Sequence, residues 1–291
     1  MSVKKIMIVV VAGVIGLLSF LIIFLAVNSY FMNRMVEEEI QVLIDDVGDS
    51  TAKTYSEKTI EGLPDPVRRY FHYALQDGQQ YVRFAHIKAK GYFKRPLQKN
   101  WAEMTTQQYF ITNPIGMIFD AEMRQSTFMW FDIRDKYYQK TAGMHVNLLS
   151  GFNVLNETGG NALNTTTFLR CIGEAVMFPT SLLPSAYIQW EPIDENRAKA
   201  IVRDGENAGT YIFYFNKIGE IIKYESKDRY DRLNNQLKKV GSIAVRSDYK
   251  KISGMMIPTR FLITRILPDG THEDFWKGEI TDITFNQTSQ F

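Results

Sequence analysis

The residues of this 291-residue chain whose types could do chemistry are four histidines, one close carboxylate pair and one cysteine. His72, His86, His145 and His272 could act as acid–base groups or metal ligands if folding brought them together. Their spacing puts each on a different element, where a surface or strand-edge histidine is the simpler reading. Asp120 and Glu122 are two apart, so on a strand they share one face. Such a pair can move a proton or hold a cation. The clean alternation around it also describes the solvent face of an amphipathic strand. Cys171 lies in an apolar helical stretch and reads as a small buried hydrophobe. A single cysteine also excludes an intramolecular disulfide framework. The sequence has no Gly-x-Ser-x-Gly elbow, Walker loop, dinucleotide fingerprint or paired-histidine zinc helix. It therefore assigns no catalytic residue, no cofactor and no metal.

Apolar chemistry is better represented. The chain has 19 Phe, 15 Tyr and 4 Trp. Many of the phenylalanines fall in runs of period two, so most must form the core of a sheet. If that sheet is curved, its concave face encloses more apolar lining than a few helices can fill. An unfilled apolar void loses contacts along its whole lining, and a ligand chain would restore them at ~0.8 kcal/mol per methylene. Phe119, Phe131, Phe178, Leu182, Phe213 and Phe215 are the expected wall of such a pocket. The segment from Phe178 to Ser185, bracketed by Pro179 and Pro184, is its expected lid.

The elements that must position these residues follow from periodicity. Hydrophobic residues make up 45% and charged residues 23%, which describes a folded chain and excludes disorder, collagen and a coiled-coil rod. The balance of 34 Lys+Arg against 32 Asp+Glu leaves no basic footprint for nucleic acid. Asp65 and Pro66 open a helix whose apolar stripe is Val67, Tyr70, Phe71, Ala74 and Leu75. A second helix, capped by Asn164 or Thr165, carries Phe168, Leu169, Ile172, Ala175 and Val176. Strands are expected at 81–93, 101–112, 116–124, 127–134, 136–141 and 143–149. After the second helix they resume at 186–193, 197–203, 209–216, 219–230, 240–250, 256–267 and 274–285. Phe128-Met129-Trp130-Phe131 is apolar on both faces, so that strand is expected to be covered on both sides. About a dozen strands with two helices predicts an α+β fold: a strongly curved antiparallel sheet, or half-barrel, with two covering helices.

One transmembrane helix is expected ahead of that domain. From Ile6 to Val27 there are 22 residues without a charge. As a helix they span ~33 Å, enough for a hydrocarbon core of ~30 Å. Lys4 and Lys5 precede the run, which favours residues 1–5 in the cytoplasm and the main domain outside it, in a periplasm or at the cell exterior. A cleaved signal peptide is the rival, but its apolar core is ~7–15 residues, and Leu25-Ala26-Val27-Asn28-Ser29 is a poor cleavage site. Residues 28–61 read as a juxtamembrane helix, with Val36, Ile40, Leu43, Ile44 and Val47 at helical spacing, followed by a linker from Gly48 to Glu61. Residues 62–291 form the extracytoplasmic domain. Without Lys4 and Lys5, 32 basic and 32 acidic residues remain, so the outer part has no global pull toward anionic lipid.

Five phrases of the sequence form a set. They are Gly62-Leu63-Pro64-Asp65-Pro66-Val67-Arg68-Arg69-Tyr70-Phe71, Gly173-Glu174-Ala175 leading to Phe178-Pro179-Thr180, Leu183-Pro184-Ser185, Trp190-Glu191-Pro192-Ile193-Asp194 and Ile257-Pro258-Thr259-Arg260. Together they resemble an uncharacterised bacterial family, a domain of unknown function that often follows an N-terminal membrane helix. The resemblance runs from about Gly62 to Asn286 and carries no catalytic role. The order of elements also resembles the LolA/LolB lipoprotein carriers, with Ile257-Pro258-Thr259-Arg260 and Ile280-Thr281-Asp282-Ile283-Thr284-Phe285-Asn286 similar to their last hairpin. That resemblance implies a half-barrel with helices across its mouth, holding an acyl chain. Three functions compete. The first is a tethered binding module for a lipid or another hydrophobic small molecule. The second is an envelope assembly protein that offers a sheet edge or apolar patch to a protein partner the sequence does not identify. The third is an envelope hydrolase with a site assembled from scattered residues.

Overall fold

A computed structural model describes residues 2–47, 53–234 and 236–288. Helix α1 runs unbroken from Val3 to Asp46. Its apolar window has a mean hydropathy of 3.1, and none of that window is buried in the protein. The helix does not stop at the end of the apolar run. It continues past Asn28, and Met32, Val36, Ile40 and Leu43 become buried at helical spacing. Part of the expected linker, residues 48–52, lies outside the described residues; its remainder contains a 3-10 turn at Glu57–Ile60.

Helix α2 is Asp65–Ala74 and helix α3 is Asn161–Glu174. Both bury the stripes expected of them. Val67, Tyr70 and Phe71 are fully buried, as are Phe168, Leu169 and Val176. Helix α3 starts three residues earlier than its expected cap. Gly160, at φ 90°, turns the chain into it, a backbone conformation that glycine adopts without strain. It continues into 3-10 turns at Ala175–Met177 and Pro179–Leu182.

Thirteen strands form one antiparallel sheet. They are β1 (Phe84–Phe93), β2 (Ala102–Thr112), β3 (Ile115–Ser126), β4 (Met129–Tyr138), β5 (Thr141–Leu148), β6 (Phe152–Thr158), β7 (Ile188–Asp194), β8 (Arg197–Asp204), β9 (Asn207–Phe215), β10 (Ile221–Leu233), β11 (Gln236–Ile252), β12 (Met255–Ile266) and β13 (His272–Phe285). Their order is β6-β5-β4-β3-β2-β1-β13-β12-β11-β10-β9-β8-β7. Two meanders are thus joined where the last strand pairs with the first, and β6 and β7 are left as edges. The sheet curls into the expected half-barrel. Where β1 meets β13, Gly91 faces Gly278. A Cβ on Gly91 would collide with the Lys277 carbonyl oxygen and lie 2.7 Å from the Gly278 Cα, so the close approach needs both glycines.

Three local expectations are corrected. The break placed near Asp135 is absent: β4 runs through it, and the chain turns instead at Gln139 and Lys140, with φ of 49° and 65°. Strand β6 was not expected, because an edge strand with five of its seven residues exposed carries no burial pattern to read. Phe128 lies in the β3–β4 turn rather than in a covered strand, and it is 85% exposed.

The two faces of the sheet are covered differently. On the concave side, α2, α3 and the 3-10 turns pack into one large core. On the convex side, Val36, Ile40 and Leu43 of α1 pack on Phe84, Tyr109, Ile111 and Ile118. Polar contacts reinforce the convex seam. Glu39 lies 3.1 Å from Arg134 and 3.3 Å from Lys136, and the Tyr138 hydroxyl donates to Asp46 at 3.0 Å.

Candidate functional site

The half-barrel has two ends. At one end lie the β2–β3, β4–β5, β9–β10 and β11–β12 turns together with α2, and here the concave face is filled. At the other end lie the β1–β2, β3–β4, β5–β6, β10–β11 and β12–β13 turns. Here a cavity of about 680 Å³ occupies the concave face. Its apolar wall includes Met104 from β2, Phe119 and Met123 from β3, Phe131 from β4, Val240 and Ala244 from β11, and Ile263 from β12. Period-two alternation puts them there: Met117, Phe119, Ala121 and Met123 all point inward along β3 and are all buried.

Two of the six residues expected to form a pocket wall line this cavity: Phe119 and Phe131. The other four lie in the filled half. Phe213 packs against Trp190 at 5.0 Å between ring centroids and against Phe215 at 6.4 Å. Phe178 packs on Phe110 at 5.0 Å. Leu182 is fully buried, and its carbonyl accepts the Trp190 indole N–H at 2.9 Å. Of the segment expected as a lid, Phe178 to Leu183 is packed into this core around a 3-10 turn at Pro179–Leu182, while Pro184 and Ser185 are exposed. Alternation reveals which residues face inward. It does not reveal how far along the strand the helices reach, and α3 with its following turns fills the stretch that holds these four.

Charged groups also reach the cavity, mostly in pairs. Arg170, from α3, lies 2.7 Å from Asp135 and stacks over the Phe119 ring at 3.8 Å. Burial pushes the Asp135 carboxyl up, and the Arg170 guanidinium opposes that rise. Arg265 is almost wholly buried, 3.0 Å from Asp231 and 3.2 Å from Glu273. Arg232 pairs with Glu157. Behind the wall, Arg246 donates to Glu174 at 3.1 Å and to the Tyr224 hydroxyl at 2.6 Å. Two further cavity-lining guanidiniums are placed differently. Arg95 lies over the Phe131 ring at 5.4 Å, and Arg229 faces the buried Tyr211 hydroxyl. In the sequence Asp228, Arg229, Asp231 and Arg232 read as a surface charge cluster, yet Arg229, Asp231 and Arg232 line the cavity; an arginine reads as solvent-facing until its partner, far away in sequence, is known.

The histidines do not converge. His72 sits on α2, 3.6 Å from Glu57. His86 stacks on Tyr109 on the convex face. His145 bonds Asn147 on β5, and His272 opens β13. Among the described residues, no group of three His, Cys, Asp or Glu side chains is placed to hold a metal ion. Asp120 and Glu122 do share the convex face. Glu122 pairs with Arg124 at 2.6 Å. Asp120 is half-buried, and burial together with nearby Asp132 pushes its carboxyl up to about 6.

No curated protein matches the chain. A solved structure of a DUF1329 family protein from Desulfovibrio piger ATCC 29098 is similar over 71% of this chain and 87% of its own, at 11% identity and a TM-score of 0.40. Residues 61–285 match the family described as "Family of unknown function (DUF6920)". That span takes in α2, α3 and all thirteen strands, so the chain, with its half-barrel and open-ended cavity, belongs to the DUF6920 family.

Proposed function

We propose that this protein is a membrane-tethered binding module for a lipid or another hydrophobic molecule, held in the open-ended cavity. The observation that carries the reading is the cavity itself: about 680 Å³, walled by Met104, Phe119, Met123, Phe131, Val240 and Ile263. That volume is typical of a small-molecule site. An acyl chain entering it would restore contacts along the wall at ~0.8 kcal/mol per methylene. Arg95 and Arg229 are the cavity guanidiniums left to meet an acidic headgroup, since Arg170, Arg232 and Arg265 are tied to carboxylates. The resemblance in element order to LolA/LolB carriers, which hold an acyl chain in such a half-barrel, supports the same reading. In it, Ile6 to Val27 cross the membrane with residues 1–5 in the cytoplasm, and residues 62–291 form the extracytoplasmic domain. Lys4 and Lys5 support that orientation.

The test uses the full chain in phosphatidylcholine liposomes with a diazirine-bearing fatty acid. After illumination, labelled peptides are mapped by mass spectrometry. Label on Met104, Phe119, Met123 or Ile263 that excess unlabelled fatty acid removes is the expected result. Label confined to the apolar half of α1 overturns the reading.

A further inference from the structure

We infer that the open end of the half-barrel is seated on the bilayer, with its turn tips in the lipid headgroup layer, and that the cavity exchanges its occupant with the adjoining leaflet rather than with water. The inference rests on the proposed reading for what enters the cavity, while the seating stands on separate observations.

The path of α1 is the first of these. Its apolar half meets the domain at the open end, where the Phe24 ring lies 5.6 Å from the Phe152 ring at the start of β6. A Cβ on Gly151, in the β5–β6 turn, would lie 2.5 Å from the Phe24 ring and 3.3 Å from Leu25. From there α1 climbs the convex face, past Asn147 at Met32, to Gly116 at Leu43 near the filled end. Phe24 is three positions, or ~4.5 Å, inside the end of the apolar run. The β5–β6 turn therefore lies level with the boundary of the hydrocarbon.

The second observation is the surface of that end. Phe128 is 85% exposed, Met129 45%, Phe152 48%, Val154 55% and Leu97 53%, and all five sit in or beside turns of the open end. Val154 also lines the cavity, so apolar rim and apolar interior are continuous. Two exposed lysines, Lys99 in the β1–β2 connection and Lys238 near the start of β11, stand at the same end, and Arg124 lies 5.8 Å over the Trp130 ring at the β3–β4 hairpin. Aromatic tips flanked by cations are the composition of a membrane–water interface. An aqueous mouth would keep this surface wet. Seated, the same side chains leave water and the cavity opens onto lipid.

Single cysteines carrying an environment-sensitive fluorophore test the seating. The full chain is labelled at Phe128→Cys, at Val154→Cys and, at the filled end, at Ile218→Cys. Each is placed in phosphatidylcholine–phosphatidylglycerol liposomes with or without nitroxide-labelled lipid. The parent chain, whose lone thiol Cys171 is buried, is the labelling blank. Several-fold stronger quenching at Phe128→Cys and Val154→Cys than at Ile218→Cys is expected. Equal quenching at all three positions, or none at the open end, overturns the inference whether or not the fatty acid labels the cavity. Strong quenching at the open end with an unlabelled cavity would uphold the seating and remove the binding reading.

Discussion

Phe24, in the apolar run of α1, packs its ring against Phe152 at the first position of β6, 5.6 Å between centroids. This contact joins the apolar half of α1 to the end of the half-barrel that holds the cavity. The order of contacts along α1 makes it more than a chance touch. Met32, Val36, Ile40 and Leu43 follow at helical spacing, each buried against the domain.

Filling the cavity should abolish occupancy and leave the fold in place. Ala244 lines the space from β11 and is buried at the wall. In Ala244→Trp the indole would occupy volume that an acyl chain needs. Competitive photolabelling by the fatty acid should weaken at least tenfold, about 1.4 kcal/mol. Circular dichroism should show the parental strand content. Undiminished labelling would place the bound chain elsewhere.

The Arg170–Asp135 pair should show the asymmetry of a buried ion pair. Arg170→Met leaves the Asp135 carboxylate in the cavity wall without its cation, at a cost of about 3–5 kcal/mol. Replacing both, as Arg170→Met with Asp135→Leu, removes the orphaned charge and should recover most of that loss. Thermal unfolding of the three proteins in one detergent measures both steps. A double variant no more stable than the single one would show that the pair is not coupled as its 2.7 Å separation implies.

Asp120 predicts a pH dependence with a definite sign. Its carboxyl is pushed up to about 6 by burial and by Asp132. Between an ordinary carboxylate value near ~3.9 and about 6, the folded chain holds a proton that the unfolded chain has released. Stability therefore falls as pH rises through that window and stays lowered above it. Asp120→Asn should gain on the order of 3 kcal/mol over the parent at pH 7.5, and the gain should vanish near pH 4. Unfolding midpoints at the two pH values decide it, and a gain that grows on acidification would reverse the assignment.

The glycine pair at the join of the two meanders should be intolerant of any side chain. Gly91→Ala drives a methyl into the backbone of Lys277 and Gly278, which cannot move without parting β1 from β13. Destabilisation of at least ~3 kcal/mol is expected, in the range of a severe backbone clash. Ala at Gly270, whose Cβ would meet nothing within 4 Å, bears only the strain of its left-handed backbone at φ 86°, about 1–2 kcal/mol, and serves as the comparison. Similar unfolding midpoints for the two variants would mean that the close approach relaxes.

Much of this fold is legible in the sequence because it obeys simple periods. The stripe of Val67, Tyr70 and Phe71 and the alternation through Met117, Phe119, Ala121 and Met123 each name a buried face, and each is buried. What periodicity omits is the partner of a face. Val36, Ile40 and Leu43 announce a helix, but nothing local says that they cover Phe84, Tyr109 and Ile118 on the convex side of a sheet. The same limit divides the expected pocket residues. Phe119 and Phe213 are both inward-facing phenylalanines on strands, yet one borders empty volume and the other touches Trp190, Tyr211 and Tyr224. Only the tertiary path of α3 separates them. Strand β6 was missed for the opposite reason, since an edge that buries almost nothing leaves no pattern.

Helix α1 has a mechanical consequence. A flexible tether lets a domain wander through a volume set by its length, whereas this chain stays helical from Val3 to Asp46 and is clamped to the domain over its upper half. From Phe24 to Leu43 the strut measures ~28 Å along its axis. It fixes the height and the facing of the half-barrel relative to its own span, so the domain behaves as a bracket and not as a leash. A bracket cannot ferry anything across a compartment. In the proposed reading, whatever takes a molecule onward from this cavity must travel to it, by diffusing in the same membrane or by docking from the aqueous side.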